Sequence, residues 1–328
     1  MRETKDSFGR SISYLRVSVT HRCNLKCAYC MPGASGATYP QGDMLTIRQI
    51  TRLVSIFAPL GIRKVRLTGG EPLMRKGITA LVRDLRAIRG IEEVAMTTNG
   101  VMLEQMAPAL EEAGLSRINI SLDTMRPERM RALSGHDVVE TALRAIRTTA
   151  AKGAWPLKVN VVAIRGFNDD EIQDFARLAH ELPIEVRFIE MMPTASNRLW
   201  DGRGCIPSAE IEETVRRDYE LTPFPGSSSG PAVVYEVRGG AGRIGFVSPL
   251  SRHFCGDCNR MRLTAEGTLR SCLFSDREID LRPGFAKDGP DGWFLEKFYQ
   301  ALAVKPEGHA LTQGSAATCV RPMVAIGG

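Results

Sequence analysis

Cys23, Cys27 and Cys30 stand in the spacing C-x3-C-x2-C, with an aromatic residue, Tyr29, directly before the last. Cys255, Cys258 and Cys272 make a second trio further along. Clustered thiols in a long chain without an apolar leader point to metal in a reducing compartment, since disulfide scaffolds are typically short and secreted. A four-iron cluster takes four thiolates. A trio therefore leaves one iron without a protein ligand and open to a small molecule. Zinc is the other reading of each trio, completed by His21 at the first and by His253 at the second. Spacing alone does not choose between them. Cys205 and Cys319 stand apart and read as small apolar side chains.

Other residues suit what an open iron would hold. Gly69-Gly70-Glu71-Pro72 sets a carboxylate after two side-chain-free residues that let backbone approach a ligand closely. Alone, that tetrapeptide is a turn. Arg260 and Arg262 flank Met261, and alternate residues of an extended strand face one side. Both guanidiniums can then meet one anion, and beside an open metal site the pair reads as a phosphate clamp. Arg16, Arg66 and Lys158 add cations near the same strand ends. Singly each is a structural residue; together they describe a pocket for a polyanion. No G-x4-G-K-[ST] loop is present, so a nucleotide would be gripped by side chains. Gly327 and Gly328 follow the apolar run Met323-Val324-Ala325-Ile326, which can anchor a thin, flexible end of chain inside a crowded cavity.

Something must place all of these on one side. Strand-like runs at Tyr14–Val19, Lys64–Leu67, Glu93–Thr97, Arg117–Leu122, Leu157–Ala163 and Ile184–Ile189 alternate with helical patterns. The helical stretches are Thr46–Pro59, Ile78–Ile88, Leu103–Ala113, Val138–Lys152 and Asp170–Glu181. Six βα units in a row predict a parallel sheet with helices outside. The cysteine loop, the Gly-Gly-Glu-Pro element, Thr97–Gly100, Ser121–Asp123, Lys158–Asn160 and Glu190–Met192 all fall at or near strand ends. Carboxyl ends of parallel strands share one face, and active sites are built there. Near Pro225–Pro231 the character changes to Gly and Ser, which divides the chain into 1–225 and 226–328. The chain has 328 residues, 43% of them hydrophobic and 24% charged, as in an ordinary soluble protein. A net charge of +6 is too mild to argue for nucleic acid. No apolar run reaches the length of a membrane span.

With both trios and both arginine sets in place, the chain resembles the radical S-adenosylmethionine (SAM) enzymes. Within them it resembles the GTP 3′,8-cyclase family of molybdenum-cofactor biosynthesis, from about Phe8 to the last residue. The run Ser-Arg-His-Phe-Cys-Gly-Asp-Cys-Asn-Arg-Met-Arg-Leu-Thr at 251–264 and the terminus Arg321-Pro322-Met323-Val324-Ala325-Ile326-Gly327-Gly328 carry that resemblance. The stretches 196–207 and 308–318 depart from the family pattern.

The resemblance implies an α/β fold, an incomplete six-unit (βα) parallel barrel whose open side is covered by a C-terminal α+β extension. It implies two [4Fe-4S] clusters, one on Cys23, Cys27 and Cys30 and one on Cys255, Cys258 and Cys272. SAM would lie on the first, near Tyr29, Gly70, Glu71, Ser121 and Met192. GTP would lie on the second, near Arg16, Arg66, Thr97, Lys158, Arg260, Met261 and Arg262. Arg16, Gly327 and Gly328 would act in the chemistry. The implied reaction is GTP to (8S)-3′,8-cyclo-7,8-dihydroguanosine 5′-triphosphate, through a 5′-deoxyadenosyl radical that takes the ribose 3′ hydrogen. Implied partners are an electron donor such as flavodoxin or ferredoxin, and cyclic pyranopterin monophosphate synthase as product acceptor. A cytoplasmic monomer or homodimer follows, with neither nucleic acid nor membrane. Two rivals stay open on the residues: a radical SAM enzyme modifying a peptide, and a zinc protein binding nucleic acid.

Overall fold

Strands β1 (Tyr14–Ser18), β2 (Lys64–Thr68), β3 (Glu93–Thr98), β4 (Arg117–Ser121), β5 (Leu157–Ala163) and β6 (Glu185–Glu190) form where the alternation of apolar runs places them. All pair in parallel, in chain order. The computed structural model describes residues 4–31, 44–194, 197–225, 230–286, 289–312, 314–315 and 321–327.

Helices α1 (Ile47–Phe57), α2 (Ile78–Ala87), α3 (Leu103–Glu112), α4 (Pro127–Ser134), α5 (Val139–Lys152) and α6 (Ile172–Glu181) fill the crossovers. The start of α1 shows why the chain turns helical there. Thr46 accepts from the Gln49 backbone N–H while the Gln49 side chain reaches back to the Thr46 N–H, a reciprocal cap. Ile50, Leu53, Val54 and Phe57 then recur on one buried face. That face joins the same hydrophobic core as Leu15, Val17, Val65 and Leu67, the outward-pointing set in the strands' two-residue alternation. Burying each such side chain contributes roughly 1.5–3 kcal/mol. The opposite set of strand side chains is what the site is made from.

After residue 207 come α7 (Ser208–Arg216), β7 (Leu221–Pro223), β8 (Ala232–Val237) and β9 (Arg243–Val247). Then follow β10 (Arg260–Leu263), β11 (Thr268–Arg270), β12 (Glu278–Asp280), α8 (Arg282–Ala286), α9 (Asp291–Ala303) and the short α10 (Met323–Ile326). The strands join one 12-stranded sheet in the order β12-β11-β10-β1-β2-β3-β4-β5-β6-β9-β8-β7. β9 adds in parallel to β6, and β10 adds in parallel to β1. The barrel expected from the sequence is thus left open, and the C-terminal extension supplies an arm to each of its edges. Among the described residues no helix is long and apolar enough to cross a membrane.

Helix α4 is absent from the sequence expectation. Its only buried side chains are Met130, Leu133 and Ser134, too few for an apolar period to stand out. It is nonetheless placed for the site. The orphan carbonyls of its last turn, on Leu133 and Ser134, accept the N–H groups of Ala28 and Lys26, both at 2.9 Å. The first cysteine loop is pinned by that helix end.

Candidate active site

Three neighbouring strands set two rungs of side chains in register. Arg260, Tyr14 and Lys64 lie across β10, β1 and β2, and Arg262, Arg16 and Arg66 make the next rung. All of them line a cavity of about 1250 Å³. Arg66 donates through Nε to the Tyr14 hydroxyl oxygen and through Nη1 to the Met96 carbonyl and Thr97 Oγ1, both at 3.2 Å. Lys64 Nζ sits 5.1 Å from the Tyr14 ring centre and 2.7 Å from Glu93. Burial and the neighbouring guanidiniums bring Arg262 down to about 9. Burial brings Arg16 down to about 10, with Tyr14 opposing and Arg66 and Arg260 adding to the fall. Burial would raise the Tyr14 phenol, yet Arg66, Arg16 and Lys64 outweigh it and draw Tyr14 to about 7. So much positive charge held in a low-dielectric pocket favours an anionic guest.

On the facing strands, Lys158 Nζ lies 2.8 Å from one oxygen of Glu185 and 3.0 Å from the other. Arg187 reaches the same carboxylate. Lys158 is therefore already engaged in a pair, where the sequence reading offered it as a cation for the guest. Burial, with Arg187 adding to it, lowers Lys158 to about 8. Glu185 is held below the usual carboxylate range by Arg187 and Lys158 against its own burial.

Both cysteine trios line this same cavity. Cys23 accepts the Leu25 N–H at 3.4 Å, and Asn99 Nδ2 stands 4.0 Å from its sulfur. Burial pushes the Cys30 thiol up to about 12 and raises Cys23 and Cys27. Burial opposes the Cys258 thiolate too, but Arg260 and Lys305 overcome it and bring Cys258 to about 7. The donor sets fit iron–sulfur clusters better than zinc. His21, which zinc would need at the first trio, lies 3.2 Å from Glu266. His253 contacts the Leu311 carbonyl at 3.0 Å and packs at a tilt against His309, its ring centre 4.5 Å away. Among the described residues no three His, Cys, Asp or Glu side chains converge as ligands of a single ion would.

The Gly-Gly-Glu-Pro element is built differently from the sequence expectation. Gly70 and Glu71 donate their N–H groups to the carbonyls of Thr20 and Arg22, at 2.7 and 2.8 Å. A Cβ on Gly70 would strike the Arg22 carbonyl. The glycines thus let this turn press on the cysteine loop, and Gly70 and Glu71 still line the cavity. Glu71 accepts from Leu73 N, Thr98 Oγ1 and Asn99 N at 2.7–2.9 Å, and burial raises it to about 7. Tyr29 donates to Asp123 Oδ2 at 2.6 Å, and Asp123 in turn accepts the Val162 N–H at 2.8 Å. Thr97, Ser121 and Met192 line the cavity as well. Met261 points the other way, fully buried in the core, so only its backbone faces the rungs. Gly327 offers its carbonyl to Arg262, and Met323 lines the cavity. Gly328 and Cys319 lie outside the described residues; Cys205 is buried.

Residues 17–179 match the Radical SAM superfamily, and residues 184–311 match Molybdenum Cofactor Synthesis C. A protein of Moorella thermoacetica named GTP 3′,8-cyclase is 45% identical over 311 residues, 94% of this chain and 96% of its own length. Another of that name, from Heliobacterium modesticaldum, is 45% identical over 328 residues, covering 98% of this chain and 99% of its own. The chain belongs to the GTP 3′,8-cyclase family. Among solved structures, SAM-bound SuiB of Streptococcus suis superposes with a TM-score of 0.62 at 14% identity. That match covers 89% of this chain and 68% of SuiB, and it bears on the fold alone.

For a member of the GTP 3′,8-cyclase family the cavity holds more than the motifs disclosed. Tyr14, Lys64 and Arg187 line it beside the residues the sequence singled out. Each stands two positions from a polar strand residue: Tyr14 from Arg16, Lys64 from Arg66, Arg187 from Glu185. The same alternation that disclosed Arg260 and Arg262 discloses these, once it is applied to every strand.

Proposed function

We infer that this chain is a radical SAM GTP 3′,8-cyclase that carries out the first step of molybdenum-cofactor biosynthesis. The observation that carries the reading is the sharing of one cavity by both cysteine trios and the double rung of cations. Cys23, Cys27 and Cys30 would hold one [4Fe-4S] cluster, and Cys255, Cys258 and Cys272 the other. When bound, the clusters and SAM supply the one-electron chemistry that opens the ribose C3′–H bond of GTP.

The protein's part is to bind, orient and enclose. Arg260, Arg262, Arg66 and Lys64 face the triphosphate, with Lys158 and Arg187 around the shared Glu185 and Thr97 beside Arg66. Met261 contributes backbone only. Tyr29, Gly70, Glu71, Ser121 and Met192 surround SAM. Arg16, in the rung between Arg262 and Arg66, acts at the reacting ribose, and Gly327 with Gly328 closes the cavity from the tail. Holding GTP with C3′ close to the radical source is worth more than affinity, because a loosely held guest would let the radical strike elsewhere.

The electron comes from a small carrier such as flavodoxin or ferredoxin. The product passes to cyclic pyranopterin monophosphate synthase, in the cytoplasm, with the enzyme as a monomer or homodimer. The division of the chain into a barrel of 1–225 and a cluster- and substrate-binding region of 226–328 belongs to the same reading. It is tested by anaerobic reconstitution with iron and sulfide, then incubation with SAM, reductant and single nucleotides. Cyclised GTP and 5′-deoxyadenosine should appear together with GTP alone. Cyclised product from another nucleotide and none from GTP would overturn the assignment.

A further inference from the structure

Lys305 follows α9 and is 3% exposed, which is unusual for a lysine. Its ammonium is placed with purpose. Nζ lies 3.5 Å from the Cys258 sulfur, and it donates to the carbonyls of Arg260 at 2.9 Å and Ser271 at 2.7 Å. Arg260 opens the strand that leaves Cys258, and Ser271 directly precedes Cys272. One cation therefore ties together the two arms of chain that carry these cysteines. The backbone bearing Lys305 is itself held. Arg10 donates to the carbonyls of Pro306 and Glu307, both at 2.6 Å, and to that of Cys255 at 2.8 Å. Each cysteine of the C-terminal trio thus has a buried cation on its sulfur or on its own or the adjoining backbone.

We propose that Lys305 is a positioning residue of the C-terminal cluster, bracing Cys258 against the Cys272 arm and setting the cluster's reduction potential through its charge and N–H···S contact. This rests on the reading that Cys255, Cys258 and Cys272 hold a four-iron cluster. Three thiolates give such a cluster a net negative charge, and one-electron reduction adds to it. A buried ammonium beside one sulfur favours the more negative, reduced form. Hydrogen bonds to cluster sulfurs and net charge are what set such potentials. The geometry gives Lys305 both.

The test compares Lys305→Met and Lys305→Arg with the unmodified holoenzyme, by iron content and by anaerobic redox titration followed by electron paramagnetic resonance. The two clusters are told apart because SAM perturbs only the N-terminal one. Two four-iron clusters in the unmodified protein, measured first, keep a failure of the Lys305 role separate from a failure of the cluster assignment. Lys305→Met should titrate at a more negative potential in the SAM-insensitive signal, with the SAM-sensitive one unchanged. Loss of the C-terminal cluster's iron in Lys305→Met, with its retention in Lys305→Arg, also supports the brace. Full iron at an unchanged potential in Lys305→Met would overturn the proposal. So would equal loss of iron in both variants, since the charge would then be irrelevant.

Discussion

Arg262 Nη1 lies 2.5 Å from the carbonyl oxygen of Gly327. The segment 323–327 is held here by a buried guanidinium in the second of the cation rungs. The apolar residues Val324, Ala325 and Ile326 bury the turn before Gly327. Gly327 has φ +70, and a Cβ there would run into Thr68 Oγ1. Gly327→Ala should therefore displace the tail while leaving both clusters and SAM cleavage intact. The expected outcome is a sharp fall in cyclised product per 5′-deoxyadenosine at saturating GTP. A ratio and rate equal to the unmodified protein would return the tail to a passive role.

Arg260→Ala tests the phosphate clamp. Its guanidinium stands 4.9 Å from the Phe254 ring centre and in register with Tyr14, on the cavity side. A charge-assisted hydrogen bond contributes roughly 1.5–3 kcal/mol, so GTP binding should weaken by about one to two decades. Arg66→Ala should cost at least as much, because Arg66 also serves Tyr14, Thr97 and Met96. The double variant need not be additive, since both arginines share one rung system. Anaerobic equilibrium binding measures both; unchanged affinity in each single variant would remove the clamp.

What the sequence made legible depended on the range of the interaction. The parallel strands and most crossover helices were readable because each declares itself by local period, β5 to the residue. Helix α4 hid because its work is done by backbone carbonyls, which leave no mark on side-chain pattern. The placing of β9 against β6 and β10 against β1 was not readable, because a short strand does not record which edge it joins. At the site, the cysteines and arginines stood out by type. Glu185, which occupies Lys158, and Tyr14, which sits among cations, are ordinary residues until the register brings them face to face.

The two trios should fail separately. Cys27→Ser removes a thiolate from the loop that α4 pins, and 5′-deoxyadenosine formation should disappear. Cys258→Ala removes the sulfur that Lys305 contacts, so GTP binding and cyclisation should be lost while the N-terminal cluster's iron remains. Iron content, 5′-deoxyadenosine and cyclised product are measured on each variant. Loss of all iron from either single change would show that the trios are not independent sites.

The last prediction concerns pH. Tyr14 is drawn from 10.0 to about 7 by Arg66, Arg16 and Lys64, in spite of burial. Its folded-state value is depressed, so the folded chain gives up this proton before the unfolded chain does. The stabilisation this brings is complete above pH 10 and is lost as pH falls through about 7. A triphosphate entering the same cation rungs would compete with the phenolate for them. GTP binding should then favour the protonated phenol, take up a proton, and weaken as pH rises through about 7. For one proton the limit is about tenfold per pH unit. Ionisation of the γ-phosphate also alters affinity in this range, and Tyr14→Phe separates the two. The variant keeps the ring against Lys64 and loses the hydroxyl that Arg66 binds. Affinity measured anaerobically across this range should fall less steeply with pH in Tyr14→Phe than in the unmodified protein. Identical slopes would mean that the phenol stays protonated throughout and takes no part in holding the guest.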